Sequence, residues 1–217
     1  TDVPYNIVAC DHLEESLFPI QTLSKKYVVV APRLPSSAKP KVEMVRIVAT
    51  QAGTTLSYDP AVPGAPASIA KAGGWVEIGN NASSFMITAN HSVYVMQYME
   101  GQQAGGGAGD PAMAQAVTPA QYRTTYLFHA PTNYTSNFVN IVAPSGTTVK
   151  LDGANVGGFV AIGSSGYSRA RAKLSNAGTG DHTVAASAPV GVSVYGYGQY
   201  TSYWYPGGLD LHVLPQQ

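Results

Sequence analysis

Charge is scarce in this chain. Only 11% of its 217 residues are Asp, Glu, Lys or Arg, against about 25% in an average soluble domain. Twelve Lys and Arg balance twelve Asp and Glu, so no net field gathers phosphate and nucleic acid is not an expected partner. Cysteine is almost absent. Cys10 stands alone and cannot form a disulfide within the chain, which leaves a buried or unreactive thiol, or a bridge to a neighbouring segment or partner. No apolar run approaches the roughly 18 residues that a membrane-spanning helix needs, so no membrane span is expected. The chain opens on Thr1-Asp2 without Met or a secretory leader, as expected of a processed chain or one cut from something longer.

Motifs of catalysis and metal binding are missing too. The histidines at 12, 91, 129, 182 and 212 are each isolated in sequence, and no His-Glu-x-x-His, paired Cys or Asp-rich calcium loop occurs. No metal or other cofactor is therefore expected. Gly163-Ser-Ser-Gly166 reads as a turn and not as a nucleophile elbow. Gly105–Gly109 lacks the Lys-Ser/Thr ending of a phosphate loop. Without an activated nucleophile or acid–base pair, the residues give no reason to expect an enzyme. One enzymatic alternative is glycoside hydrolysis, which needs two carboxylates facing each other about 5–10 Å apart in a groove. Asp59, Glu77, Asp110 and Asp152 are the carboxylates to inspect for it.

What the chain does have is a repeat. Val45-Arg-Ile-Val-Ala-Thr-Gln-Ala-Gly-Thr-Thr-Leu-Ser-Tyr-Asp59 returns as Val139-Asn-Ile-Val-Ala-Pro-Ser-Gly-Thr-Thr-Val-Lys-Leu-Asp152. The flanks match as well: Tyr27 to Pro32 answers Tyr126 to Pro131, and Ser92 to Tyr98 answers Pro189 to Tyr195. The offset runs from 99 to 94 to 97 residues along these segments, as expected when insertions fall in loops between matched strands. Gly73–Gly79 and Gly157–Gly163 also look alike, but out of step with that alignment.

Short β-branched and aromatic runs bounded by Gly, Pro and Asn turns predict antiparallel strands throughout. In the first half these are Lys26–Ala31, Val42–Thr50, Thr54–Tyr58, Ser68–Ala70, Gly74–Ile78, Ser84–Thr88 and Ser92–Met99. A comparable set follows from Tyr122 to Gly196, with Leu209–Leu214 as a closing strand and Tyr5–Ala9 as an opening one. No helical period supports parallel βαβ units. Asp11 with Glu14 predicts one capped turn, and Asp110-Pro111 before Ala-Met-Ala-Gln115 predicts one short helix. The fold expected is all-β: two tandem, related antiparallel sandwich-like units with at most one short helix. The first unit is placed at 1–100 with an N-terminal strand, a Gly-rich connector and helical turn at 101–116, and the second unit at 117–217.

Recognition usually sits in loops on a rigid scaffold, which points to the loops at Tyr58–Pro66 and Gly101–Asp110 and to the aromatic tail. Tyr58, Asp110, Tyr200, Tyr203, Trp204 and Tyr205 are the candidate binding residues. The tail rings have two readings: a face for carbohydrate or protein, or closure of a sandwich in a chain short of charge. Asn81, Asn90 and Asn133 head formal glycosylation motifs that matter only in a secreted eukaryotic protein.

Several segments carry a family likeness: Asp11 to Val28, Gly109 to Ala114, Ile162 to Tyr167, Gly191 to Gly198 and Ser202 to Leu209. In this order they resemble the IgG-Fc-binding-protein N-terminal domain family over roughly residues 10–210. Members often have Trp-Gly where this chain has Leu23-Ser24. The resemblance implies a non-catalytic extracellular or cell-surface module for binding and adhesion, one piece of a larger multidomain protein. Its expected partners are an extracellular protein or glycan and the neighbouring domains of that longer chain. The alternative is a structural spacer that presents a neighbouring domain. Antibody binding belongs to one animal member, and the family supplies no contact motif that maps onto residues of this chain.

Overall fold

In Val45–Ala49 the alternation read from sequence becomes a buried face of Val45, Ile47 and Ala49 and an outer face with Arg46 and Val48. Strands of this kind build the computed structural model, which describes residues 3, 4, 6, 7, 9–104 and 109–215. The first unit holds β1 (Ser24–Val30), β2 (Glu43–Ala49), β3 (Thr54–Asp59), β4 (Ser68–Ile69), β5 (Trp75–Asn81), β6 (Ser84–Met99) and β7 (Ala112–Gln115). The second holds β8 (Arg123–His129), β9 (Ser136–Pro144), β10 (Val149–Leu151) and β11 (Ala154–Asn155). It continues with β12 (Val160–Ala161), β13 (Tyr167–Leu174), β14 (Asp181–Gly198) and β15 (Thr201–Pro206). Short 3-10 turns at Ile20–Thr22 and Pro119–Gln121 precede β1 and β8.

One long strand organises each unit. The early half of β6 pairs with β1 and β3, and its later half pairs with β2 and β7. Between the halves the register against β1 slips, from Lys26 opposite Thr88 to Ser24 opposite Val93. A slip of this kind bends and twists a strand, so it can pass from one layer to the other. In the second unit β14 does the same, with β8 and β10 on its early half and β9 and β15 on its later half. It slips at the matching place, from Thr125 opposite Ala185 to Arg123 opposite Val190. The pairing schemes agree strand for strand, and β12 is the addition in the second unit. A side-chain bond repeats too: Tyr27 Oη accepts from Ser24 N at 3.2 Å, and Tyr126 Oη accepts from Arg123 N at 2.9 Å. Each unit encloses its own core, around Val29, Ile47, Phe85 and Val95 in the first and Phe128, Ile141, Val184 and Val194 in the second.

Several expectations are corrected. Ala112–Gln115 is a strand, because pairing with Met96–Met99 and burial of Ala112 and Ala114 outweigh the local helix-start signal. Asp11 does not cap a turn; its Oδ1 accepts from the next amide, of His12, while Glu14 meets the His12 ring. Leu209–Leu214 is not a strand; Asp210 N donates to Gln121 O and Leu214 N to Gln21 O, and the Gln121 amide exchanges two bonds with the His212 backbone. Cys10 is exposed, so the buried thiol is excluded. The partner of β5 in the repeat is β13, which takes the same place beside β9 that β5 takes beside β2, and the Gly157–Gly163 likeness is accidental. Tyr5 and Val8 in the expected opening strand, and Gly105–Ala108 in the connector, lie outside the described residues.

The units pack through the outer face of β1 and the Met99, Ala112 and Ala114 end of β6 and β7 in the first, against the outer face of β9 and β14 in the second. In β1, Tyr27 and Val29 enter the first core, while Val28 and Val30 join Met86, Tyr122, Val142 and Ile162 between the units. In β9 both faces are buried: Val139 and Ile141 point inward, and Phe138 and Val142 face the first unit. The backbone leaving β1 is held by side chains of the second unit. Asn140 Nδ2 donates to Val30 O at 3.0 Å and Arg171 Nε to Ala31 O at 2.7 Å. Arg33 N donates to Tyr195 Oη, and Tyr197 Oη donates to Arg33 O, both at 2.9 Å. Tyr195 Oη in turn donates to Asn140 Oδ1 at 3.0 Å. Farther along, Asp59 accepts from Ser164 N and Oγ.

Near this seam Glu43 is wholly buried, accepting from Gln97 Nε2 at 2.8 Å and Asn81 Nδ2 at 3.3 Å. Burial pushes its carboxyl up to about 8, while the two amide bonds and Arg171 pull the other way. Asn137 holds the matching position in β9.

Two stability predictions follow from the seam. Asn140→Ala should lower unfolding stability by about 2–3 kcal/mol, since it strips partners from a buried hydroxyl and carbonyl; urea denaturation measures it. For Glu43 the folded pKa lies above the ordinary 4.5, so its stabilising contribution is fully present below pH 4.5 and is lost as pH rises through about 8. Denaturation midpoints should therefore fall across that window, and Glu43→Gln should flatten the fall. An unchanged slope in the variant would assign the pH dependence to other groups.

Candidate functional site

The turn between β14 and β15 has only two residues, because Gly198 pairs directly with Thr201. Tyr200 takes a left-handed backbone there, φ 55°, which sends its ring away from the sheet and leaves it 71% exposed. Below this tip lies a groove of about 300 Å3 lined by Pro35, Gln102, Thr135, Ser136, Gln199 and Tyr200, with Tyr197 and Gly109 at its base. Among the described residues no lining side chain is charged. Gly109 needs its missing side chain: φ is +70°, and a Cβ would stand 2.1 Å from Ser202 Oγ. That close approach lets Asp110 N donate to Ser202 Oγ at 3.0 Å and pins the strap before β7 beside β15.

The groove unites two of the regions named from sequence, the Gly101–Asp110 loop and the Tyr200 end of the aromatic tail. Other candidates are placed elsewhere. Asp110 itself is buried behind the strap, and burial followed by the nearby Asp11 raises its carboxyl above the usual range. Trp204 is buried with Phe138 and Tyr195, and its Nε1 donates to Ser193 Oγ. Tyr203 and Tyr205 are half-buried against the second core, donating to Asn137 Oδ1 and His129 O. Tyr58 donates to Pro66 O at 2.7 Å and sets its ring edge on Phe85, within the first unit. The tail therefore divides by period: one exposed ring at the turn, and packing rings along the strand.

The carboxylates inspected for glycoside chemistry have separate partners. Asp59 binds Ser164, Glu77 binds Arg46, and Asp152 binds Thr183 N and the His182 ring. Among the described residues no hydrogen bond or ion pair joins any two of Asp59, Glu77, Asp110 and Asp152. No group of three or more His, Cys, Asp or Glu is placed there to hold a metal, and no helix is long and apolar enough to cross a membrane. Asn81 is buried with its amide given to Glu43 and Ser83 O, a poor acceptor for a glycan.

Sequence reading missed a second feature, on the outer face of β5, β2 and β6. The Arg46 guanidinium lies 4.7 Å from the Trp75 ring centre and 5.4 Å from that of Tyr98, and its Nε donates to Glu77 Oε1 at 2.8 Å. Trp75 is 56% exposed. Period-2 alternation marks Arg46 as outward-facing, but only strand pairing brings Trp75 and Tyr98 to its two sides.

No curated protein matches the chain. A solved structure described as an anti-sigma factor domain-containing protein aligns with 84% of this chain and 82% of its own, at 11% identity and a TM-score of 0.25, a likeness too slight to bear on fold or function. A family model is different in weight: the one described as IgGFc binding protein matches residues 1–196, through both repeated units and into the last long strand. The chain belongs to the IgGFc binding protein family.

Proposed function

We propose that this chain is a non-catalytic extracellular or cell-surface binding and adhesion module, carried within a larger multidomain protein. Family membership supports the binding role. The groove under Tyr200 is the observation that carries the reading to a place on the molecule. An exposed ring offers broad contact at low entropy cost, and Gln102, Gln199, Thr135 and Ser136 offer amides and hydroxyls around it. With no charge in the lining, the ligand class is a neutral glycan or an uncharged loop of an extracellular protein. We further read the chain as two units, 1–100 and 117–217, joined by 101–116; the connector then contributes both a groove wall and the edge strand β7.

A panel of glycans and extracellular proteins, IgG Fc among them, tests this with the purified chain. Tyr200→Ala should weaken whichever ligand binds by tenfold or more, about 1.4 kcal/mol, with the thermal melt unchanged. A panel without a hit favours the spacer reading, in which the tightly held pair of units sets the distance between neighbouring domains.

A further inference from the structure

The contact between the two units is heterologous: two copies of one fold meet through different patches. The second unit contributes the outer face of β9, β13 and β14, with Phe138, Asn140, Val142, Arg171 and Tyr195. The first contributes the outer face of β1, with Val28 and Val30, and beside it Met99 of β6 and Ala112 and Ala114 of β7. A heterologous contact that does not close leaves one patch of each kind uncovered and repeats as an open array.

Strand pairing locates both uncovered patches. The registers of β2 with β5 and β6, set against those of β9 with β13 and β14, match Met44 to Phe138, Arg46 to Asn140 and Val48 to Val142. They match Trp75 to Arg169, Glu77 to Arg171 and Tyr98 to Tyr195. The first unit thus keeps a counterpart of the face that buries β1 in the second, covered at Met96, which is 5% exposed, and open at Trp75. On the other side, the registers of β1 and β8 match Val28 to Leu127 and Val30 to His129. Val28 is 5% exposed and Leu127 is 75% exposed. Each open patch therefore displays a large apolar side chain, Trp75 on one and Leu127 on the other.

We propose that the outer face of β5, β2 and β6 docks a second copy of this chain, which seats the outer face of its β8 there with Leu127 against Val48, as Val28 sits against Val142, and beside Trp75. Chains then join head to tail. The N-terminal segment leaves room for this: Phe18 bonds to Gln115 Oε1 and Tyr94 Oη, toward the β7 side of the face, and Trp75 stays exposed. The contact is weaker than the internal one, because His129 and Thr183 stand where the first unit has Val30 and Met86. It forms at high local concentration, as on a crowded surface. It is independent of the Tyr200 groove.

Sedimentation velocity on the full chain over a concentration series tests it. The expected result is association that grows with concentration and weakens at least tenfold in Trp75→Asp and in Leu127→Asp, each with an unchanged circular dichroism melt. The decisive arm is the mixture. Trp75→Asp keeps an intact β8 face and Leu127→Asp keeps an intact β5 face, so together they should restore a dimer that grows no further. A wild-type monomer up to about 1 mM, association that survives both substitutions, or a mixture that stays monomeric would each overturn the proposal. If either variant melts early, Trp75→Cys and Leu127→Cys in a Cys10→Ser background replace them: a disulfide between the two different variants supports the contact, and its absence overturns it.

Discussion

Everything in this fold depends on one strand in each unit serving two layers. A strand as long as β6 or β14 cannot remain in a single layer of so small a sandwich, so the backbone slips register once and bends. Both layers then hang from the same continuous strand: β1 and β3 before the bend of β6, β2 and β7 after it. The slip falls at equivalent residues in the two units, which is why their cores enclose equivalent positions despite modest sequence identity. Side chains fill the cores, but the bend decides which faces can meet.

The same geometry decides which polar groups the seam accepts. Packing one unit against the other buries both faces of β9 and of Tyr27–Val30 in β1, where an ionised group would leave water. The polar groups at the seam are consequently amides, phenols and guanidinium groups: Asn140, Tyr197 and Arg171 donate to backbone carbonyls, and Tyr195 accepts from Arg33 N and donates to Asn140 Oδ1. Where a carboxyl does enter, at Glu43, burial favours its neutral form.

The repeat was legible because it is written in strands whose alternation survives insertion in loops. Val45–Asp59 and Val139–Asp152 announced two related units, and the structure bears that out. The two halves of β6 read as separate strands because Asn90 and His91 resemble a turn; nothing local reveals that the backbone stays extended through a bulge. Ala112–Gln115 misled for a related reason, since Asp-Pro followed by Ala-Met-Ala is a sound helix start until an unpaired sheet edge competes for its backbone. The aromatic tail was half legible. Its residues announced importance, but which ring faces solvent depends on where a two-residue turn places φ above zero, and only Tyr200 stands there. The Arg46 and Trp75 face was invisible because it joins residues that only sheet order makes neighbours.

An unequal seam has an evolutionary consequence. In a symmetric pair each substitution acts on both sides of the contact at once, and drift is held in check twice over. Here the copies occupy different surroundings from the start, so a position constrained by packing in one is released in its twin. Phe138 matched by Met44 and Arg169 matched by Trp75 are the record of that release. Duplication supplied the chain with spare surface, and asymmetry left that surface free to acquire a chemistry of its own.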